Sequence, residues 1–230
     1  MFLKNLLLGK LLDPGARKRV CLTGLLKGLE LELDLNYQAQ VWLGLCERET
    51  YGVIKKTAQR CEWFVDIGAG KGELVVYFLK RTSANKVIAV EPQLSENKIM
   101  LRNLKYNGLD SDRRLVIVDK CVGTASGENF LSLDSFAPLV QGRGFLKIDV
   151  DGAEMDVLES GKQFLNSLKP TVLIETHSAE LERACLEFLQ AMCFSTRIIR
   201  NAWWRRILPE HRPIPHNRWL LATAESFFLC

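Results

Sequence analysis

Ten residues, Phe64-Val65-Asp66-Ile67-Gly68-Ala69-Gly70-Lys71-Gly72-Glu73, constrain this chain more than any others: an apolar strand ends on a carboxylate and runs into a glycine-rich turn and a helix. Glycines let a backbone turn with positive φ and approach a ligand that any Cβ would exclude. The free amides at the N-terminus of the following helix face the same ligand. The arrangement is built to hold a nucleotide-like cofactor.

A dinucleotide fingerprint reads GxGxxG and places a diphosphate over the helix. Here the loop reads DxGxGxG, with Glu73 where the last glycine would fall. A carboxylate at the strand end suits a ligand that brings cationic or hydroxyl donors rather than phosphates. S-adenosylmethionine is such a ligand, with an ammonium, a sulfonium and a ribose diol. The next apolar run, Lys86-Val87-Ile88-Ala89-Val90, ends on Glu91 and Pro92. An acid there can accept both ribose hydroxyls, a device that NAD enzymes share.

At 230 residues the chain is long enough for one well-buried α/β domain with some excess for an extension. A hydrophobic share of 47%, a charged share of 25% and a net charge of +4 describe an ordinary globular protein and do not by themselves imply nucleic acid. Seven cysteines without a CxxC pair or zinc-type histidine spacing read as reduced thiols in a cytoplasmic protein. The apolar start, Met1 to Leu12, is broken by Lys4, Gly9 and Lys10, too short an uninterrupted run for a secretory or membrane-spanning segment. It reads as a helix packed on its own domain or on a partner subunit, which leaves a homo-oligomer open. An amphipathic helix on a membrane surface, followed by Arg17, Lys18 and Arg19, is the lesser alternative.

Along the chain, Leu29 to Leu35 alternates and predicts a half-buried strand, and Gln38 to Arg60 has helical spacing. From Trp63 onward strands and helices alternate, the signature of a doubly wound, mostly parallel α/β (Rossmann-like) sheet. This divides the chain into an extension, 1–60, and a cofactor-binding domain, 61–230. Leu74, Val75, Phe78 and Leu79 mark the buried face of the first core helix. Ser95 is placed to cap the next, which carries Ile99, Met100 and Leu104 inward and stops at Asn107-Gly108. Leu115 to Val118 reads as a doubly covered strand ending on Asp119, and residues 123–135 as an excursion of turns. The fourth core strand, Phe145 to Val150, leads into Asp151-Gly152-Ala153-Glu154, and the fifth, Thr171 to Ile174, into Glu175-Thr176-His177. Two late strands, Thr196 to Arg200 and Arg218 to Thr223, form an antiparallel C-terminal edge.

Ligands of open α/β sheets sit outside the carboxyl ends of the strands. Asp66, Glu91, Asp119, Asp149 and the Glu175 to His177 segment therefore converge on one rim. At this point the chain resembles the FkbM-like family of class I S-adenosylmethionine-dependent methyltransferases. The resemblance rests most on Leu146-Lys147-Ile148-Asp149-Val150-Asp151-Gly152-Ala153-Glu154-Met155-Asp156-Val157-Leu158 and on Pro170 to His177, and runs from about Leu35 to the C-terminus. One departure is Gly70, where the family commonly has Asn. The resemblance implies the class I methyltransferase fold and O-methylation of small-molecule or glycan hydroxyls.

The cofactor-binding set is then Asp66, Gly68, Ala69 and Gly70 at the methionine end, Glu91 and Pro92 at the ribose, and Asp119 with Cys121 towards the adenine. A hydroxyl acceptor benefits from a general base, and His177 has the unperturbed pKa nearest neutrality. Asp149, Glu154 and His177 form the catalytic set, drawn from candidates that include Asp151 and Glu175. No spacing demands a metal, and Asp149 and His177 with a third carboxylate are a lesser reading. The C-terminal mixture of Arg197, Arg200, Arg205, Arg206, Arg212 and Arg218 with Trp203, Trp204 and Trp219 reads first as a solvated rim. The alternatives are an RNA or protein methyltransferase that uses those cations, or a cofactor-binding or interaction protein without turnover.

Overall fold

The computed structural model of the chain describes residues 15–202, Arg205, His216 and 218–224. The described chain opens with an antiparallel hairpin, β1 (Ala16–Val20) and β2 (Glu30–Asp34). Two short helices follow, α1 (Leu35–Trp42) and α2 (Tyr51–Ala58), the second led in by a 3-10 turn at Arg48–Thr50. Then come β3 (Trp63–Ile67), α3 (Glu73–Arg81), β4 (Lys86–Val90), α4 (Leu94–Tyr106) and β5 (Leu115–Val118). A two-stranded excursion, β6 (Cys121–Val122) and β7 (Phe130–Leu131), and a 3-10 helix at Leu133–Leu139 precede β8 (Gly144–Ile148). The chain continues through α5 (Glu154–Glu159), α6 (Lys162–Leu168), β9 (Thr171–Thr176), α7 (Ala179–Ala191), β10 (Phe194–Ile199) and β11 (Arg218–Ala224).

Seven strands form the central sheet in the order β10-β11-β9-β8-β3-β4-β5. From β9 to β5 the pairs are parallel, and β11 runs antiparallel to both β9 and β10. The order reverses at β3, because β4 lies on one side of it and β8 on the other. That reversal opens the crevice in which such sheets bind ligands.

The two-residue period of the strands divides the core into two apolar clusters, one on each face. Phe64, Ala89, Phe145 and Leu173 face α3 and the N-terminal extension, where Leu31, Leu33 and Ile54 join the same cluster. Phe64 stacks on Phe78 at 3.8 Å between ring centroids. Trp63, Val65, Ile67, Leu146 and Ile148 face the other way, against Val157, Phe164 and Leu189. Strand β2 presents an edge that would be open to solvent or a stray strand. Asn103 of α4 and Asn107, which caps that helix's C-terminus, cover it: Asn103 Oδ1 accepts from the Glu32 amide at 2.6 Å, and Asn107 Nδ2 donates to the Glu30 carbonyl at 2.7 Å.

Several expectations need correction. Arg17, Lys18 and Arg19 lie in β1, with Lys18 paired to Glu30 at 2.8 Å. Gln38 to Arg60 is not one helix. It breaks near Gly44 (φ +61), where an added Cβ would lie 2.5 Å from the Thr23 carbonyl oxygen, so the backbone must turn away there. Ser95 lies inside α4 rather than capping it; Gln93 stands at the cap without a side-chain bond. Strand β5 is not doubly covered: it is the sheet's edge, and its four residues are only half-buried. Leu74 is likewise half-buried, while Val76 and Tyr77 join the buried face of α3. The N-terminal segment up to Leu12 and Trp203, Trp204, Arg206 and Arg212 lie outside the described residues. No described helix is long and apolar enough to cross a membrane.

Candidate active site

The glycine loop joins β3 to α3 by close backbone contacts. Gly68 has φ +83, and an added Cβ would lie 1.8 Å from the Asp149 carbonyl oxygen, so only glycine lets this loop pack against the end of β8. The amides of Gly68 and Ala69 both donate to the Val90 carbonyl at 2.9 Å. The Gly70 amide donates to Glu91 Oε2 at 2.9 Å, and the Gln93 amide to Oε1 at 2.8 Å. Glu91 thus clasps the loop, and each of its oxygens keeps a second lone pair for a ligand. At Gly70 (φ +53) an added Cβ would meet nothing within 4 Å, so the loop opens on free space at that point. Pro92 is exposed beyond Glu91, Asp119 is exposed at the end of β5, and Cys121 is half-buried at the start of β6.

Asp66 and Lys147 are register partners on adjacent parallel strands, so their side chains rise side by side on the same face. Lys147 Nζ stands 2.9 Å from Asp149 Oδ2 and 4.0 Å from Asp66 Oδ1. Residues 147 and 149 share a side because they are two apart in extended chain. Burial pushes the Asp66 carboxyl up to about 7, against the pull of Lys147 and helped by Asp149. Burial alone would lower the Lys147 ammonium, but Asp149 and Asp66 hold it well above the usual range. Asp66 Oδ1 is buried and takes no hydrogen bond, its nearest cation being Lys147 Nζ at 4.0 Å. Such an atom fits a ligand that brings an ammonium.

The second constellation sits between the ends of β8 and β9. Glu154, the first residue of α5, is fully buried, and its Oε1 lies 2.5 Å from His177 Nδ1. The carboxylate also accepts from the Gly152 amide at 3.2 Å. That amide arrives through a backbone bent into the left-handed region at Asp151 (φ 43) and Gly152 (φ 106). His177 Nε2 points the other way, 3.2 Å from Asp151 Oδ1, 3.7 Å from Asp149 Oδ1 and 3.9 Å from Glu175 Oε1. Only 8% of the His177 side chain is exposed, and Nε2 takes no hydrogen bond. The bond to Glu154, with Asp149 and Asp151 behind it, raises the imidazole above 6.5 against the effect of burial. Ser178, the next residue, caps α7 by accepting from the Leu181 amide.

Asp149, Asp151 and His177 bring ligand atoms within 4.8 Å of one another, as do Glu47, Asp149 and Glu175. A cation already stands in that region, the Lys147 ammonium at 2.9 Å from Asp149. Sequence reasoning passed over Lys147 and Glu47. A lysine in the middle of an apolar strand was the available signal for the first. Glu47, in the left-handed region at φ 47, gave none, since it reads as part of a helical stretch. The described C-terminal cations are partly spent inside the fold. Arg205 pairs with Glu49 at 2.7 Å, Arg218 pairs with Glu182, and Trp219 is fully buried with its Nε1 donating to Glu175 Oε2 at 3.2 Å.

Two kinds of likeness to known proteins accompany this geometry. The Methyltransferase FkbM domain model matches residues 128–200, the span that carries Asp149, Glu154 and His177. Among solved structures, methyltransferase FkbM from Methylobacillus flagellatus is similar with a TM-score of 0.55 at 16% identity, over 82% of this chain and 53% of that one. The precorrin-6y C5,15-methyltransferase of Geobacter metallireducens gives a TM-score of 0.52 at 16% identity, over 76% and 87%. An S-adenosylmethionine-dependent O-methyltransferase of Thermotoga maritima gives 0.51 at 16% identity, over 76% and 64%. At such identities the structures establish a shared class I methyltransferase fold. No curated protein matches the sequence.

Proposed function

We propose that this chain, FkbM-like in its matched segment and a class I methyltransferase in its fold, transfers a methyl group from S-adenosylmethionine to a hydroxyl of a small molecule or sugar. The observation that carries the reading is the Glu154–His177 contact of 2.5 Å, which leaves the buried Nε2 on the side of Asp149 and Asp151. A neutral imidazole whose Nδ1–H is held by a buried carboxylate has its lone pair on Nε2. That is the arrangement a general base requires.

The buried Asp66 Oδ1 without a hydrogen bond, the open space at Gly70 and the Glu91 carboxylate bonded to the Gly70 amide support the choice of cofactor. Asp66 with Gly68, Ala69 and Gly70 would hold the methionine end, Glu91 and Pro92 the ribose, and Asp119 and Cys121 the adenine side. When bound, the cofactor supplies a methyl group already activated by the sulfonium for in-line displacement. The chain must then align the acceptor oxygen, at roughly 3 to 3.5 Å, and take its proton. His177 Nε2 receives that proton, Glu154 fixes the tautomer and balances the imidazolium, and Asp149 positions the acceptor hydroxyl from the end of β8.

Parallel calorimetric titration with S-adenosylmethionine and NAD is the first test. Saturable binding of the former alone is expected, and binding of NAD alone would overturn the cofactor assignment. Transfer of labelled methyl to a panel of glycans, hydroxylated metabolites and RNA then separates hydroxyl acceptors from the RNA alternative. Label on RNA bases would overturn the hydroxyl assignment.

A further inference from the structure

At the opposite end of the sheet, where β8 and β9 begin and β11 ends, four cations from separate parts of the chain surround a cavity of about 180 Å³: Lys56, Arg60, Arg143 and Arg197. Lys56 comes from α2, Arg60 from the turn after it, Arg143 from the approach to β8, and Arg197 from β10. We infer that this hollow is a second binding site, for a phosphate-bearing anion.

No carboxylate lines the cavity. Among the described residues none of the four cations makes an ion pair, whereas Arg102, Arg114, Arg205 and Arg218 all do. Glu62, close in sequence to Arg60, accepts instead from the Arg143 backbone amide at 2.8 Å. Grouping four like charges around one hollow without counterions costs free energy through mutual repulsion. Lys56 and Arg60 have a local reason to be where they are, since they lie near the carboxyl end of α2 and complement its dipole. Arg143 and Arg197 have none: they arrive on other elements and are brought there only by the sheet.

The remaining lining suits an oxyanion. Thr57, Thr171 and Thr223 line the hollow together with the apolar Val53 and Leu221. Guanidinium groups match phosphate oxygens in fork geometry, and hydroxyls add donors. The volume admits a phosphate or diphosphate group with a small attachment rather than a folded partner. Strand β8 spans five residues, about 16 Å at ~3.3 Å per residue, so the hollow is a separate site from the acidic rim at the strand's other end. The inference does not depend on the proposed methyl transfer.

The test is calorimetric titration of the full chain at low salt with sodium pyrophosphate, and in separate arms with trithymidylate carrying or lacking a 5′-phosphate. Saturable pyrophosphate binding is expected, weakened at least tenfold in the R60Q/R197Q variant, with S-adenosylmethionine affinity and thermal midpoint unchanged in that variant. In the unaltered protein, pyrophosphate should protect Lys56 from acetylation by an N-hydroxysuccinimide ester, a readout that needs no substitution. Absence of saturable binding by either phosphorylated probe overturns the site, as does binding undiminished in R60Q/R197Q with no protection of Lys56. Tighter binding of the 5′-phosphorylated oligonucleotide than of pyrophosphate assigns the phosphate to a nucleic-acid end; the reverse assigns it to a small metabolite.

Discussion

The two ends of the central sheet carry opposite charge and manage it in opposite ways. At the carboxyl end, Asp66, Asp149, Glu154 and Glu175 are gathered around Lys147 and His177, and most of these groups are buried. At the amino end, Lys56, Arg60, Arg143 and Arg197 are exposed and hold no acid. Buried charges must be compensated within the fold, because desolvation is costly. The acidic rim is therefore cross-linked, and the pKa values of Asp66, Lys147 and His177 are raised. Exposed cations are screened by water and salt, so the basic rim stands without such links. Chemistry that needs a displaced pKa belongs at the first end, and recognition that needs free charge at the second.

The largest test of this contrast is His177→Ala. Loss of a general base should lower methyl transfer to an identified acceptor by about 10²- to 10⁴-fold, while pyrophosphate binding at the other end stays unchanged. The pH profile sharpens it. The imidazole is raised above 6.5 by Glu154, with Asp149, Asp151 and Glu175 facing the same ring, and only its neutral form is a base. Rate should therefore rise with pH through a midpoint above 6.5, and Glu154→Gln should move that midpoint down. A profile that stays flat across this window would remove His177 from the mechanism.

Next in size, Asp66→Ala or Glu91→Ala should weaken S-adenosylmethionine binding by tenfold or more, on the order of ~1.5 to 3 kcal/mol for hydrogen bonds to charged groups. Unchanged affinity in both variants would remove the cofactor assignment. Asp66 also makes a stability prediction. Its carboxyl is raised from 3.8 to about 7, so between those values the native state holds more protons than the unfolded chain. Stability is thus lost as pH rises through that window. Asp66→Asn, which cannot ionise, should flatten that fall, seen as a gain in thermal midpoint at pH 8 relative to pH 5.

Gly68→Ala sets a Cβ 1.8 Å from the Asp149 carbonyl oxygen and should cost about 1 to 3 kcal/mol by overpacking, read as a lower midpoint in urea. The smallest effect is expected at Arg102→Ala. The Arg102–Glu32 pair lies at 2.5 Å, but nearly half of the arginine side chain is exposed. Exposed pairs contribute only about 0 to 1 kcal/mol.

Much of this architecture was legible in the chain. The alternation of Leu29 to Leu35, the apolar runs at Phe64 and Lys86, and the Asn107-Gly108 stop all became the expected elements. Local periodicity and turn chemistry act over a few residues, so a linear reading captures them. Three of the misses share one cause. The edge position of β5, the turn at Gly44 and the pairing of β1 with β2 depend on what lies beside a segment in space rather than on the segment itself.

The sequence by itself determined the alternation of strands and helices, the glycine loop and the carboxylates at the strand ends, because each follows from spacing within an element or its immediate flanks. Only the tertiary structure decided the chemistry of those groups. The register of β3 against β8 placed Lys147 beside Asp66, and the approach of α5 to the end of β9 brought Glu154 onto His177. The packing of α2 near the start of β8 and against the β10–β11 edge gathered four cations around one hollow. Charge interactions act through space and depend on burial, and neither the distance nor the burial of a pair far apart in sequence is written along the chain.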